Sequence, residues 1–470
     1  MPNADLCDLS AWEMGAAIRA KQVSPVEIVD AILARIDRVN PTLNAYCTIA
    51  AGQARAAARE AEAAVMRGDA LGILHGIPVS VKDLIETAGI RTTMGSLVFA
   101  EYVPEEDAPV VARAKRAGAI ILGKTNTPEF GHKAVTDNRV FGPTRNPWSL
   151  AHTSGGSSGG AAAAVAAGLG PLAVGTDGGG SVRIPSSCCG VFGLKPTLGR
   201  VAQAPVFGGL ETASHIGPMA RSVRDAAMLF AAIVGPDPRD PGSLPADGTD
   251  YMAVLQTGVR GLRVAWTPDW GYAAVDPEVR RIAEAGATRF AEIGCGVDEA
   301  GPEFTDPAPA FEVVSSSTAA ARWGDALATH RGRFDPSFLP WIEEGMTRTA
   351  VEFVRAANHR RTLNDAFRRF FERFDLLLTP TLAAPPLPVG VDAYDEIAGR
   401  PVGRLGWLAF TFPLNMVGYP AASVPCGRTT AGLPVGLQIV GPRLADALVL
   451  RAAAAFEAVA PWAADRPPVG

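Results

Sequence analysis

Histidine and cysteine are scarce in this 470-residue chain, six of each, and the scarcity narrows the available chemistry. Cys7, Cys47, Cys188, Cys189, Cys295 and Cys426 are too few and too scattered for a disulfide framework, and none pairs at metal-ligand spacing. They read as reduced thiols in a cytoplasmic protein. An excess of basic charge is missing too: 43 Lys and Arg stand against 48 Asp and Glu, with the signs interspersed. No basic face is offered to a phosphate backbone, which excludes nucleic acid as an expected partner. Long apolar runs are absent. The uncharged stretch 159–175, GGAAAAVAAGLGPLAVG, is broken by Pro171 and is shorter than the roughly 20 residues a membrane span needs. It predicts a buried helix followed by a strand. The N-terminus shows no basic stretch leading into an apolar one, so no secretory signal is read.

What remains is a globular composition, 48% hydrophobic and 19% charged. Ser10 to Glu13 and Ser24 to Glu27 are capping boxes, the second with Pro25 at the first helical position, so two helices are expected to open the chain. Val29, Ile32, Leu33 and Ile36 share one face of the second. The Ala- and charge-rich stretch 51–67 predicts another helix, more exposed. Short apolar runs at 77–81, 119–122, 172–174, 262–265, 376–378 and 437–440 read as buried strands. They alternate with helical patterns at 110–117, 222–233, 277–293 and 444–459. The alternation implies an α/β fold with a parallel or mixed sheet covered on both faces. The segment 235–250, rich in Pro, Gly and Asp, predicts a surface loop, and 380–388 is also irregular. The less periodic segment 310–346 suits a pocket wall or lid. Length alone suggests roughly three domains.

The densest signal is 153–197, TSGGSSGGAAAAVAAGLGPLAVGTDGGGSVRIPSSCCGVFGLKPT. A flexible linker is a poor reading, because the tract runs directly into an apolar core segment. A phosphate-binding loop is equally poor, because neither glycine cluster is followed by Lys-Ser or Lys-Thr. In Gly178-Gly179-Gly180-Ser181 the missing side chains let backbone N–H groups approach a substrate oxygen, as in an oxyanion hole. A serine nucleophile needs a base. His75, His132, His152, His215, His330 and His359 are scattered, and the elbow pattern GxSxG is missing around Ser181. A histidine base stays open. Lys82, ending the β-branched run IPVSVK, is the other candidate, since burial lowers a lysine's pKa and a neutral lysine accepts a proton. A structural ion pair with Asp83 or Asp177 is the bland alternative for it.

The Lys82 segment, the GGSSGG tract and GTDGGGSVRIP, in this order, resemble the amidase signature family, and the resemblance extends to GLPVGLQIVG at 432–441. It implies a single α/β/α sandwich over residues 1–470 with a large mixed central sheet covered by helices. Within it, 1–70 would be an N-terminal helical segment, 75–235 the catalytic core, and 300–400 a variable pocket-forming region. It further implies a triad in which Ser181 is the nucleophile, Ser157, on a cis peptide and 24 positions earlier, relays the proton, and Lys82 is the base. The N–H groups of Gly178, Gly179, Gly180 and Ser181 would hold the oxyanion. Asp177 and Arg183 are expected to support the loop's shape, and Ser158 and Ser154 to bond glycine-loop backbone. Gly131 and His132 are candidate substrate contacts. No metal or organic cofactor is needed.

The implied activity is hydrolysis of a C–N amide bond through an acyl-enzyme, by a stand-alone amidase on a small aliphatic or aryl amide. Carbamate or ester hydrolysis by the same triad is the first alternative. An amidotransferase A-type subunit is the second, although Gly178 and the stretch 206–215 do not read like one. A catalytically silent subunit sits poorly with Lys82, Ser157 and Ser181 all present. Phe311, Trp323, Phe334, Phe338 and Trp341 suit an aryl site or a plain core equally. The expected partners are a small amide, anilide or carbamate and water, with no membrane; the oligomeric state is not readable, and a homodimer stays open.

Overall fold

A computed structural model of the chain describes residues 5–205 and 212–469. Both capping boxes form. Ser10 starts α1 (Ala11–Arg19) and Ser24 starts α2 (Pro25–Leu43), each side chain accepting from helix backbone while Glu13 or Glu27 bonds the cap N–H. The apolar face of α2 is buried. β1 (Tyr46–Ile49) follows, then the Ala-rich α3 (Ala51–Arg67).

The next units repeat the pattern read from the sequence. β2 (Pro78–Lys82), α4 (Pro109–Arg116) and β3 (Ile120–Thr125) lead to a small hairpin, β4 (Arg145–Asn146) and β5 (Ser149–Thr153). The uncharged stretch becomes α5 (Gly159–Ala166) and β6 (Leu172–Asp177), as its composition predicts. After α6 (Arg183–Cys189) come β7 (Phe192–Lys195), β8 (His215–Ala220) and α7 (Val223–Ile233). β9 (Arg263–Trp266), α8 (Pro277–Glu292) and β10 (Gly296–Glu299) precede a helical block of α9 (Ala308–Trp323), α10 (Leu327–His330), α11 (Leu339–Thr347) and α12 (Ala350–Phe370). The chain ends through β11 (Leu376–Pro380), a hairpin of β12 (Glu396–Ile397) and β13 (Arg400–Pro401), α13 (Phe412–Val417), β14 (Ala421–Arg428), β15 (Pro434–Val440) and α14 (Asp446–Val459).

Eleven strands form one mixed sheet in the order β1-β3-β2-β6-β8-β7-β14-β15-β11-β9-β10. Parallel runs β3-β2-β6 and β11-β9-β10 lie toward its two ends, antiparallel pairs fill the middle, and β1 closes one edge antiparallel to β3. Every residue of β2, β3, β7, β8, β11 and β15 is buried. Side chains of a strand alternate between faces, so such strands are covered on both. The six predicted strands all lie in this sheet. The α/β/α expectation therefore holds, and 235–250 is a loop as expected. The six cysteines are unpaired, Cys47 and Cys426 half-buried and the other four buried.

One large apolar cluster runs from Cys7 to Trp462. A second, separate cluster contains Leu84, Met94, Phe130, Phe334, Phe338 and Ile342, where the helical block packs over the segment after β3. Among the described residues no helix is long and apolar enough to cross a membrane.

Candidate active site

β2 and β6 run side by side in parallel, Val81 opposite Val174, so Lys82 and Thr176 end their strands together. Crevices outside the carboxyl ends of parallel strands are where α/β sheets hold ligands. Lys82 is fully buried, and its Nζ lies 2.6 Å from Ser157 Oγ and 2.8 Å from Thr176 Oγ1. Burial drives its pKa well below the ordinary lysine value, and the charge of Asp177 opposes this only in part. The structural ion pair considered for Lys82 is therefore absent. Asp83 instead binds Thr93, and Asp177 is claimed by Arg183. Thr176, the second partner of Lys82, carries no signal of its own in the sequence, although it sits inside the GTDGGGS tract.

The peptide between Gly156 and Ser157 is cis, as the family resemblance implies. Ser158 N–H donates to the Ser181 carbonyl at 3.1 Å, which ties the two serine loops together. Ser157, Thr176, Gly178, Gly179 and Ser181 line one cavity of about 460 Å³. Ser158 Oγ bonds the backbone of Thr176, at the strand end rather than in the glycine loop, whereas Ser154 Oγ lies 3.4 Å from the Gly155 carbonyl. Ser181 stands two residues before α6, which starts at Arg183.

Asp177 organises the nucleophile loop from below. Its carboxylate accepts from the N–H groups of Gly180 (2.8 Å) and Val182 (3.1 Å) and pairs with the Arg183 guanidinium at 2.9 Å, both side chains fully buried. Burial works against the charge of Asp177, but Arg183, Lys195 and Asn415 outweigh it and hold the carboxyl well below the usual range. Arg183 also reaches the Thr411 carbonyl, Gln438 Oε1 and Asn415 Oδ1, so the network knits β6, α6, α13 and β15. Both residues thus hold the shape of the loop. Asn415 and Thr411 carry no signal in the sequence, and Gln438 enters only as part of GLPVGLQIVG.

Gly180 departs from the expectation. With its N–H directed at Asp177 Oδ1, it has no free proton for a substrate oxygen. Its φ is +130°, and a Cβ there would lie 2.3 Å from Thr411 Oγ1, so glycine is required for packing, not for reach into the cavity. Gly178, Gly179 and Ser181 remain half-buried on the cavity side.

None of the six histidines takes the place of a base: among the described residues no histidine is hydrogen-bonded to Ser157, Ser181 or Lys82. His132 lines the cavity, but both its nitrogens are occupied, Nδ1 near the Glu129 carbonyl and Nε2 near Ser337 Oγ, each at 2.8 Å. Burial pushes its pKa down to about 4, whereas burial pushes Glu129 up to about 7. Glu129 accepts from Ser96 Oγ and from Asp335 N–H, which clips the helical block to the core. Gly131, at φ +72°, packs against Ser157, where a Cβ would stand 3.0 Å from Oγ. The stretch 206–215 lies outside the described residues up to 211, so its reading stands on the sequence alone.

The aromatic residues divide. Phe311, Trp323, Phe338 and Trp341 line the cavity together with Phe130, while Phe334 is 1% exposed inside the second apolar cluster. Trp323 stacks on Phe130 with centroids 4.0 Å apart, and Arg404 lies over Trp341 at 4.5 Å.

Comparison with known proteins shows the family. The amidase family model matches residues 27–450. An acylamidase of Rhodococcus erythropolis is 41% identical, covering 99% of this chain and 98% of its own length. The A-type subunit of a glutamyl-tRNA(Gln) amidotransferase of Moorella thermoacetica is 37% identical over 99% of both chains. The crystal structure of a bacterial aryl acylamidase of the amidase signature family superimposes with a TM-score of 0.91 at 34% identity, covering 98% of this chain and 99% of that one. The chain belongs to the amidase signature family, and it is an amide-hydrolysing enzyme.

Proposed function

We propose that the protein hydrolyses a small amide, with an aryl or aliphatic group next to the bond, through an acyl-enzyme on Ser181. The observation that carries this is the 2.6 Å contact between a buried Lys82 and Ser157, at the wall of the cavity that Ser181 also lines. Neutral Lys82 accepts the Ser157 proton as Ser157 takes the proton of Ser181, whose Oγ bonds the carbonyl carbon. The carbonyl π electrons move to oxygen, which backbone N–H groups of the loop receive. Collapse of the intermediate breaks the C–N bond; Ser157 gives its proton to the departing amine and takes one back from Lys82, which is neutral again. Water then attacks the ester by the same relay and releases the acid and Ser181.

Aromatic side chains opposite the triad support an aryl or apolar substrate, in keeping with the acylamidase and aryl acylamidase relatives. Carbamates and esters fit the same relay. The Moorella relative supports a second reading, one chain of an amidotransferase complex, which calls for copurifying partner chains and little activity alone. The continuous apolar cluster supports a single domain over 1–470, and six unpaired thiols fit a cytoplasmic setting. A homodimer is testable by light scattering of the purified chain.

The deciding experiment is a hydrolysis screen of anilides, aliphatic amides, esters and aryl carbamates with wild type and Ser181→Ala. It is paired with fluorophosphonate labelling and mass mapping. An adduct on Ser181 is expected; labelling elsewhere, with turnover retained in Ser181→Ala, would sink the acyl-enzyme.

A further inference from the structure

The peptide joining Asp177 to Gly178 is pulled from one side. Its carbonyl oxygen accepts from Asn415 Nδ2 at 2.7 Å and lies 3.1 Å from His215 Nδ1. Both side chains belong to buried residues, and neither residue lines the cavity. His215 is brought there by register, because it stands opposite Asp177 at the end of the β6–β8 ladder. Among the described residues only the bonds before Ser157 and Pro205 are cis, so the 177–178 peptide is trans. In a trans peptide the C=O and N–H point in opposite directions. Drawing the oxygen into the core therefore turns the Gly178 N–H outward, on a residue that lines the cavity and beside which a Cβ would meet nothing within 4 Å.

The same rule sorts the next-but-one peptide and the one after it. The Gly179 carbonyl accepts from Thr411 Oγ1 at 2.7 Å, and the N–H on the other side of that peptide, Gly180, runs to Asp177. The Gly180 carbonyl accepts from Ile184 N–H at 2.7 Å, which directs the Ser181 N–H away from α6.

We propose that His215 and Asn415 are positioning residues for the oxyanion hole, holding the Asp177–Gly178 peptide so that Gly178 N–H acts beside Ser181 N–H. The proposal rests on the acyl-enzyme reading above. His215 Nδ1 has two neighbours, the Asp177 carbonyl at 3.1 Å and Asn415 Nδ2 at 3.5 Å; both amide protons of Asn415 go to the nearer oxygens of Asp177 and the carbonyl only accepts, so Nδ1 carries the proton. Burial, with Lys195 nearby, keeps the ring neutral, which leaves Nε2 as a bare lone pair; that nitrogen indeed has no partner among the described residues. Asn415 also donates to Asp177 Oδ1, so one amide couples the peptide to the Asp177–Arg183 pair.

The test compares His215→Leu with His215→Asn, whose amide nitrogen occupies the place of Nδ1. Rates on an anilide are referred to sites counted by fluorophosphonate titration, which removes misfolded protein from the comparison. In His215→Leu, kcat is expected to fall about 10- to 100-fold with KM nearly unchanged, the size of effect expected from misaiming an oxyanion donor. Affinity for a trifluoromethyl ketone, which forms a tetrahedral oxyanion on the serine, should fall by the same factor. His215→Asn should recover kcat to within about threefold of wild type. Equal kcat per site in His215→Leu and wild type overturns the proposal, as does an Asn variant no better than Leu. Should His215→Leu not fold, His215→Met, which also lacks a donor, replaces it under the same criteria. Failure of the acyl-enzyme reading looks different: wild type would not label at Ser181, or Ser181→Ala would keep its turnover.

Discussion

The floor and the wall of the cavity are built on different physics. Beneath Ser181 lies a buried polar network, Asp177, Arg183, Asn415 and Gln438, in which each charge is compensated and directional bonds fix backbone orientation. Across from it, Trp323 of α9 and Trp341 of α11 pack with Phe130 and Phe338 in an apolar cluster of their own, joined to the core through Glu129 and His132, while Phe311 of α9 belongs to the main core and meets Phe412. Hydrogen bonds hold atoms to fractions of an ångström, as the chemistry requires. Apolar contact is non-directional and tolerates exchange, as substrate choice requires. The comparison implies that changes to the floor act on kcat or on folding, and changes to the wall act on KM.

The largest effect is expected at the reacting atoms. Ser181→Ala and Lys82→Ala should each lower kcat by roughly 10⁴-fold or more while the protein remains folded. Near-normal anilide turnover at neutral pH in Lys82→Ala would remove the base from the scheme. Next comes the support beneath the loop. Arg183→Met leaves the buried Asp177 charge unpaired and should cost about 3–5 kcal/mol of stability, measured by urea unfolding. A cost under about 1 kcal/mol would show that the floor does not depend on that pair.

On the wall, Trp323→Ala removes the ring stacked on Phe130 and should raise KM for anilides about 10-fold or more, with kcat and the KM of acetamide little changed. A drop in kcat alone would erase the division between floor and wall. The smallest effect is the pH response of the clip between them. The folded protein holds the Glu129 carboxyl at about 7 against an ordinary 4.5, so its contribution is present at acidic pH and lost as pH rises through that window. His132 is held at about 4 against 6.5, so its contribution is present above 6.5 and lost as pH falls. Between 4.5 and 6.5 the slopes contributed by these two groups are opposite in sign. Relative to wild type, His132→Gln should therefore make stability fall more steeply with rising pH, and Glu129→Gln more steeply with decreasing pH, each by up to about 1.4 kcal/mol per pH unit. Thermal denaturation across pH 4.5–7 reads both slopes, and unchanged profiles would disprove the pairing.

The legibility of the sequence follows the same line. Capping boxes, apolar runs and glycine-rich motifs are local signals, and they carry both opening helices, six strands of the sheet and the order of Lys82, Ser157 and Ser181. β1, β7, β8, β10 and β14 escape such signals, and α9 to α12 show only as a weakly periodic stretch. The Ser337 partner of His132 Nε2 lies 205 residues away, and the direction of the Gly180 N–H depends on one peptide plane, neither of which any spacing reports.

What the sequence determined by itself was the inventory of reactive groups and the elements that carry them, because motif chemistry and helix capping act between neighbours in the chain. Only the tertiary structure decided which of those groups is free to react. Burial draws the Lys82 pKa far down, Asp177 keeps its charge because Arg183 meets it, and Gly180 N–H is consumed by that same carboxylate. Each outcome depends on desolvation and on partners that folding alone brings within hydrogen-bonding distance.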